Sequence, residues 1–307
     1  MQRTVPTLFT CLLCATLSLS ALSGAQAQFT YTFFDQDTTI NNDVTTDFAI
    51  VGFSGGSYDE NDLSRHFTGP SSPTVQVVAG GSISNEMDIF NNSHVHVSGG
   101  SAGGIFPYDN SVLTISGGSA SFVLSQEHSV INMMGGNVDD LEGQGKQINV
   151  SGGTMGTLVA NVTTDYQGNP LGSCIVNVTG GTVTGDINAF NDGILNLYGG
   201  VFGGALRAAE GGTLNIYGSG LVASLLNSNA ANGYSVYALS GTLDDGTVLA
   251  NADLKVRNDG VTYGHSSFTL VNATPEPGAY TLMLGLGVSG VGLWRRRRVS
   301  RSRSSSI

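Results

Sequence analysis

Along the middle of the chain, apolar and polar residues alternate in short runs that end the same way. The phrase is apolar, polar, apolar, one further residue, then glycine. It appears as Val95-His96-Val97-Ser98-Gly99-Gly100, Leu113-Thr114-Ile115-Ser116-Gly117-Gly118 and Ile131-Asn132-Met133-Met134-Gly135-Gly136. It returns as Ile148-Asn149-Val150-Ser151-Gly152-Gly153, Val176-Asn177-Val178-Thr179-Gly180-Gly181 and Leu195-Asn196-Leu197-Tyr198-Gly199-Gly200. A last copy, Leu214-Asn215-Ile216-Tyr217-Gly218, keeps one glycine. The first glycines fall at 99, 117, 135, 152, 180, 199 and 218, in steps of 18, 18, 17, 28, 19 and 19 residues. A degenerate earlier copy is Val75-Gln76-Val77-Val78-Ala79-Gly80-Gly81.

Each phrase predicts a short strand with one buried face, because successive strand side chains point to opposite sides. The glycine pair lets the chain turn through positive φ without a Cβ penalty. An apolar position follows three residues after the first glycine (Ala102, Ala120, Val138, Met155, Val183, Phe202) and starts a second short strand. Polar turns such as Phe90-Asn91-Asn92-Ser93, Tyr108-Asp109-Asn110-Ser111 and Phe190-Asn191-Asp192-Gly193 close the unit. A unit of 18–19 residues has too few apolar positions for a core of its own, so it buries its face by stacking on its neighbours.

The expected fold class is therefore all-β, a parallel β-solenoid adding one rung about every 4.8 Å. No period of six runs within the coil, and crossovers between parallel strands are generally right-handed, so a right-handed β-helix is expected. Residues 76–225 hold the repeats. The long step contains an insertion around Thr163 to Gly172, read as a loop from its Gly and Pro. An open solenoid end would leave unpaired backbone groups, so residues 28–75 and 226–272 are read as N- and C-terminal β-caps.

The two ends of the chain read differently. Arg3, an apolar stretch from Leu8 to Leu22 and Ala25-Gln26-Ala27 have the three parts of a secretory signal peptide over residues 1–27, with cleavage expected between Ala27 and Gln28. Residues 273–307 contain Pro275-Glu276-Pro277, an apolar run over 279–294, and Trp294 followed by Arg295, Arg296, Arg297 and Arg298. That run would span roughly 24 Å as a helix, short for a bilayer, with Trp294 and snorkelling arginines making up the difference. A transmembrane helix with the arginines as a cytoplasmic stop is expected.

This order of Pro-Glu-Pro, short apolar helix and arginine cluster resembles the PEP-CTERM sorting signal of exported Gram-negative proteins. The resemblance covers only the last 30 or so residues, and Val299 to Ile307 extend beyond the usual pattern. It implies recognition by an exosortase, a membrane-embedded cysteine transpeptidase, with the inner membrane as a transient or permanent partner. It also implies a place in the cell envelope, on the surface or in the extracellular matrix, alongside extracellular polysaccharide.

Charge narrows the partners further. Between Gln28 and Thr274 there are five basic residues (Arg65, Lys146, Arg207, Lys255, Arg257) and 22 acidic ones, a net charge of −17. Nucleic acid is excluded as a partner on that balance. Cys11 and Cys14 lie in the signal region, leaving Cys174, which cannot build a disulfide framework alone and reads as a packed residue entering an apolar run.

Few residues suggest chemistry, and no enzyme, cofactor or metal is expected. Parallel β-helices do host polysaccharide lyases and hydrolases, which makes such an enzyme the alternative. Asp139, Asp140 and Glu142 form the densest acid cluster, but nearby coils supply no acid or base to complete a site. His94 and His96 could touch one metal ion yet lack a third ligand, and Asp59-Glu60-Asn61-Asp62 reads as a solvated turn. One column stands out: the polar residue inside each phrase is His96, Thr114, Asn132, Asn149, Asn177, Asn196 and Asn215. Stacking puts Asn132, Asn149, Asn177, Asn196 and Asn215 in one outward row. They would form either an amide ladder bonded along the axis or a surface facing a polysaccharide chain.

Overall fold

The computed structural model describes residues 31–52, 71–165, 169–228, 233–257 and 266–273. The signal region with Ala27 and Gln28, the acidic stretch Asp59 to Asp62, and the tail with Pro275 to Pro277 and Trp294 to Arg298 lie outside them. The described residues are all-β with no α-helix, and no helix among them is long and apolar enough to cross a membrane.

Parallel pairing with a one-coil offset organises most of the described residues between Tyr31 and Ile216. The first face of each coil is the repeated phrase. Val75 pairs with Val95, Val95 with Leu113, Leu113 with Ile131, Ile131 with Ile148, Ile148 with Val176, Val176 with Leu195, and Leu195 with Leu214. The second face follows the glycines, where Ile83, Ala102, Ala120, Val138, Met155, Val183 and Phe202 stand in one register column. A third face stacks Met87, Ile105, Val123, Leu141 and Leu158. The inward residues of all three faces join in one hydrophobic core, and Val176, Val178, Leu195 and Leu158 are fully buried. Each coil lays its apolar side chains on like side chains above and below, as a solenoid-like stack requires.

The two glycines of the phrase serve different needs. Gly118 has φ +74°, a left-handed conformation that only glycine takes without strain. Gly117 instead sits against the coil below, where a Cβ would lie 2.5 Å from the Ser98 carbonyl oxygen. The first glycine allows close approach and the second allows the turn.

Between the third face and the next coil, the polar turns place Asn91 and Asp109 at φ 60° and 52°. These short polar side chains tolerate that region. They also join coils: the Asn91 N–H donates to Asp109 Oδ2 at 2.8 Å, and the Asp109 N–H to Glu127 Oε2 at 2.9 Å. Phe90 and Tyr108 stack beside them with centroids 4.9 Å apart.

Residues 31–51 lack the Gly-Gly phrase but share the parallel register. Tyr31 to Phe34 pair with Phe48 to Val51, and Thr38 to Ile40 with Val75 to Val77. The insertion read as a loop is an antiparallel hairpin, Val162–Thr164 against Pro170–Ser173. The strand Thr213–Asn227 keeps the parallel register through Ile216, then pairs antiparallel with Tyr234–Leu243, which pairs antiparallel with Val248–Arg257. That last strand lies parallel on the third face of the final full coil, Leu254 against Leu206.

Candidate functional site

The Asn column is assembled as a row on the first face, one residue per coil. Asn132 pairs in register with Asn149, Asn149 with Asn177, Asn177 with Asn196, and Asn196 with Asn215. The side chains form a continuous ladder with one polarity. Asn149 Nδ2 donates to Asn132 Oδ1 at 3.0 Å, Asn177 to Asn149 at 3.1 Å, Asn196 to Asn177 at 2.9 Å and Asn215 to Asn196 at 2.9 Å. Gln147 Nε2 adds a bond to Asn149 Oδ1 at 2.8 Å. An amide carries two N–H donors, so each of these four donating residues spends one along the axis and keeps the other. All five are half-buried, which holds the row in shape while leaving it at the surface.

Toward the earlier coils the column changes chemistry. Thr114 follows Asn132 in register, then His96. His96 Nε2 lies 2.7 Å from Ser116 Oγ, one of them donating, and His94 beside it is exposed. Among the described residues no three His, Cys, Asp or Glu side chains gather as metal ligands would.

The acid cluster meets neutral partners, from its own strand and from the next coil, which the sequence did not suggest. Asp140 accepts from Thr157 Oγ1, and Glu142 from Gln144 Nε2 at 2.9 Å and Asn161 Nδ2 at 3.4 Å. Arg207 is held by Asp186 at 2.8 Å, Arg257 by Glu210 at 3.3 Å and Lys255 by Asp253 at 3.4 Å. Cys174 is fully buried, and desolvation pushes its thiol up to about 12, the Gly145 backbone contact lowering it only in part. A thiol so placed is not a nucleophile near neutral pH.

Sequence reading missed a second polar column. Ser82, Ser101, Ser119, Asn137, Thr154 and Thr182 share one register position on the second face. The first four line a shallow concavity that spans as many coils and reaches Asp139. The readable signal was the residue directly after each glycine pair, which is Ser, Asn or Thr in these copies. At the other end of the first face, Tyr198 and Tyr217 stack with centroids 4.2 Å apart. Burial first, and then the hydrogen bond and charge of Tyr217, raise the Tyr198 hydroxyl above its ordinary value.

The tail decides how this body is handled. Residues 273–298 match the family model of the PEP-CTERM protein-sorting motif. The chain carries a PEP-CTERM sorting motif. No curated protein and no solved structure matches the chain. The PEP-CTERM motif marks an exported protein, sorted to the envelope and processed by an exosortase. The all-β body described above is thus the cargo of that sorting signal.

Proposed function

We propose that this protein is a non-catalytic structural or adhesive component of the cell surface or extracellular matrix, lying along an extended neutral or basic polysaccharide. In this reading the signal peptide 1–27 is removed and the helix over 279–294 holds the chain in the inner membrane until the tail is processed. The body between them is a right-handed solenoid closed by caps at both ends. The observation that carries the proposal is the amide ladder from Asn132 to Asn215, with four inter-coil bonds of 2.9–3.1 Å. It presents a repeating polar group about every 4.8 Å, a spacing close to that of groups along a sugar chain, and each donating amide retains an N–H.

Three further features support it. The concavity from Ser82 to Asp139 adds hydroxyls on the second face of the earlier coils and reaches the ladder's first coil at Asn137. The body's charge of −17 would repel an acidic glycan. Asp140 and Glu142 are bonded to Thr157 and Asn161 of the next coil, an arrangement suited to joining coils rather than to proton transfer.

The test is a triple replacement of Asn177, Asn196 and Asn215 by Thr, which keeps β-compatible residues while removing the amides. Binding to neutral glycans on an array, or by co-sedimentation with polysaccharide, should fall in the variant. Binding unchanged by the replacement, or absent in the parent, would leave the column as a structural ladder alone.

A further inference from the structure

Coil stacking stops abruptly on the second face, and the way it stops is informative. After Ile216 the chain leaves the parallel register, and Gly218 pairs antiparallel with Leu243. No coil therefore follows to cover Gly199 and Gly200. A parallel edge left open in this way is a template for another strand.

That edge is filled by the turn between Leu243 and Thr247. The Asp245 main-chain N–H donates to the Tyr198 carbonyl at 3.1 Å, and the Gly200 N–H donates to Asp245 Oδ2 at 2.7 Å. In a parallel ladder, one residue gives its N–H to one side of its partner and takes an N–H from the other. Asp245 does both opposite Gly199, with its side-chain carboxylate replacing the main-chain carbonyl. The fit leaves no space at Gly199, where a Cβ would meet the Asp245 carboxylate.

The carboxylate is fixed from its own turn as well. The Thr247 N–H reaches Oδ1 at 2.8 Å and the Thr247 hydroxyl reaches Oδ2 at 3.0 Å. Gly246 at φ +91° allows the tight turn, which the Gly246 N–H closes on the Leu243 carbonyl at 2.9 Å. Asp244 braces it by donating its N–H to the Tyr217 carbonyl at 3.2 Å. Burial disfavours the charged form of Asp245, but the bonds from Thr247 and Gly200 outweigh it and hold the carboxyl below its ordinary value.

We propose that Asp245 is an end-stop: a strand of one residue that closes the exposed backbone edge at the Gly199–Gly200 corner, where the second face begins, and keeps a second copy of this chain from stacking there. The first coil supplies what such a copy would offer. Thr38–Ile40 and Asp43–Val44 each pair with one strand, Val75–Val77 and Ser82–Ile83, among the described residues. Repulsion between acidic bodies opposes the same association, so the end-stop acts with the charge rather than alone.

The experiment compares the purified full-length protein with Asp245→Ala and Asp245→Asn, by amide hydrogen exchange and by light scattering over a concentration series in moderate salt. In Asp245→Ala, protection of the Gly200 amide should fall on the order of tenfold, as loss of one charge-assisted bond implies. The weight-average mass should rise at concentrations where the parent's does not. Asp245→Asn keeps one acceptor oxygen and should lie between the two. If the alanine variant loses protection across residues 176–178 as well, it has unfolded and the asparagine variant decides on the same two readouts. Unchanged protection at Gly200 overturns the proposal. So does a deprotected Gly200 with no gain in mass.

Discussion

Asn196 donates its side-chain N–H to Asn177 across 2.9 Å, although 19 residues of chain separate them. The bond exists because two consecutive coils repeat the same alternation in register, Val176-Asn177-Val178 on Leu195-Asn196-Leu197. Neighbours in sequence therefore have opposite fates: Asn177 lies in the outer ladder, and Val178 is fully buried between Val150 and Leu197.

Val178→Asp should cost several kcal/mol, because it places an unpaired charge in the apolar stack. Asn177→Ser removes two ladder bonds, at about 1 kcal/mol each, and should cost clearly less. Thermal melts of the two variants give the comparison. Equal losses would mean that the inward and outward positions are misassigned.

Two glycines separate turn strain from crowding. Gly220 has φ +60° with nothing within 4 Å of a Cβ, so Gly220→Ala should cost only about 1 kcal/mol. Gly118→Ala adds collisions with the Gly99 and Gly100 backbones at 2.7–2.8 Å to a similar φ, and should cost several-fold more. Denaturant midpoints measure both, and similar midpoint shifts would argue against close stacking of the glycine pairs.

Much of this architecture was legible because its determinants are local. The alternation in Leu113-Thr114-Ile115 names the buried face, and Gly117-Gly118 names the turn. What the chain does between distant residues was less visible. Residues 31–51 pair in the same parallel register without the Gly-Gly phrase, since alternation alone, as in Thr38-Thr39-Ile40, suffices to dock on Val75-Gln76-Val77. The Asp245 contact was hidden for another reason. There a side chain takes the place of a main-chain carbonyl 45 residues away, which no local pattern records. The Asn row could be placed in sequence, but its common bond polarity could not, because amide orientation depends on both neighbouring coils.

The tail gives a prediction of its own. Glu276→Ala leaves the apolar run and the arginine block of the PEP-CTERM motif intact, so a passive anchor would behave as before. A processed substrate should instead accumulate as a longer, membrane-retained form in a host with an exosortase, read by gel mobility and fractionation. Identical size and location for both proteins would count against processing at this motif.

The most direct test of the account is the spacing between coils at the Asn column. In a Cys174→Ala background, Asn177→Cys with Asn196→Cys places two thiols one coil apart. Parallel neighbours at about 4.8 Å lie within the roughly 4.4–6.8 Å Cα separation that a disulfide accepts. Asn177→Cys with Asn215→Cys places them two coils apart, at about 9.6 Å, beyond that range. Mild oxidation should cross-link the first pair and not the second, shown by the mass of the intervening linked peptides. Cross-linking of both pairs alike, or of the second pair alone, would contradict the coil-by-coil stack.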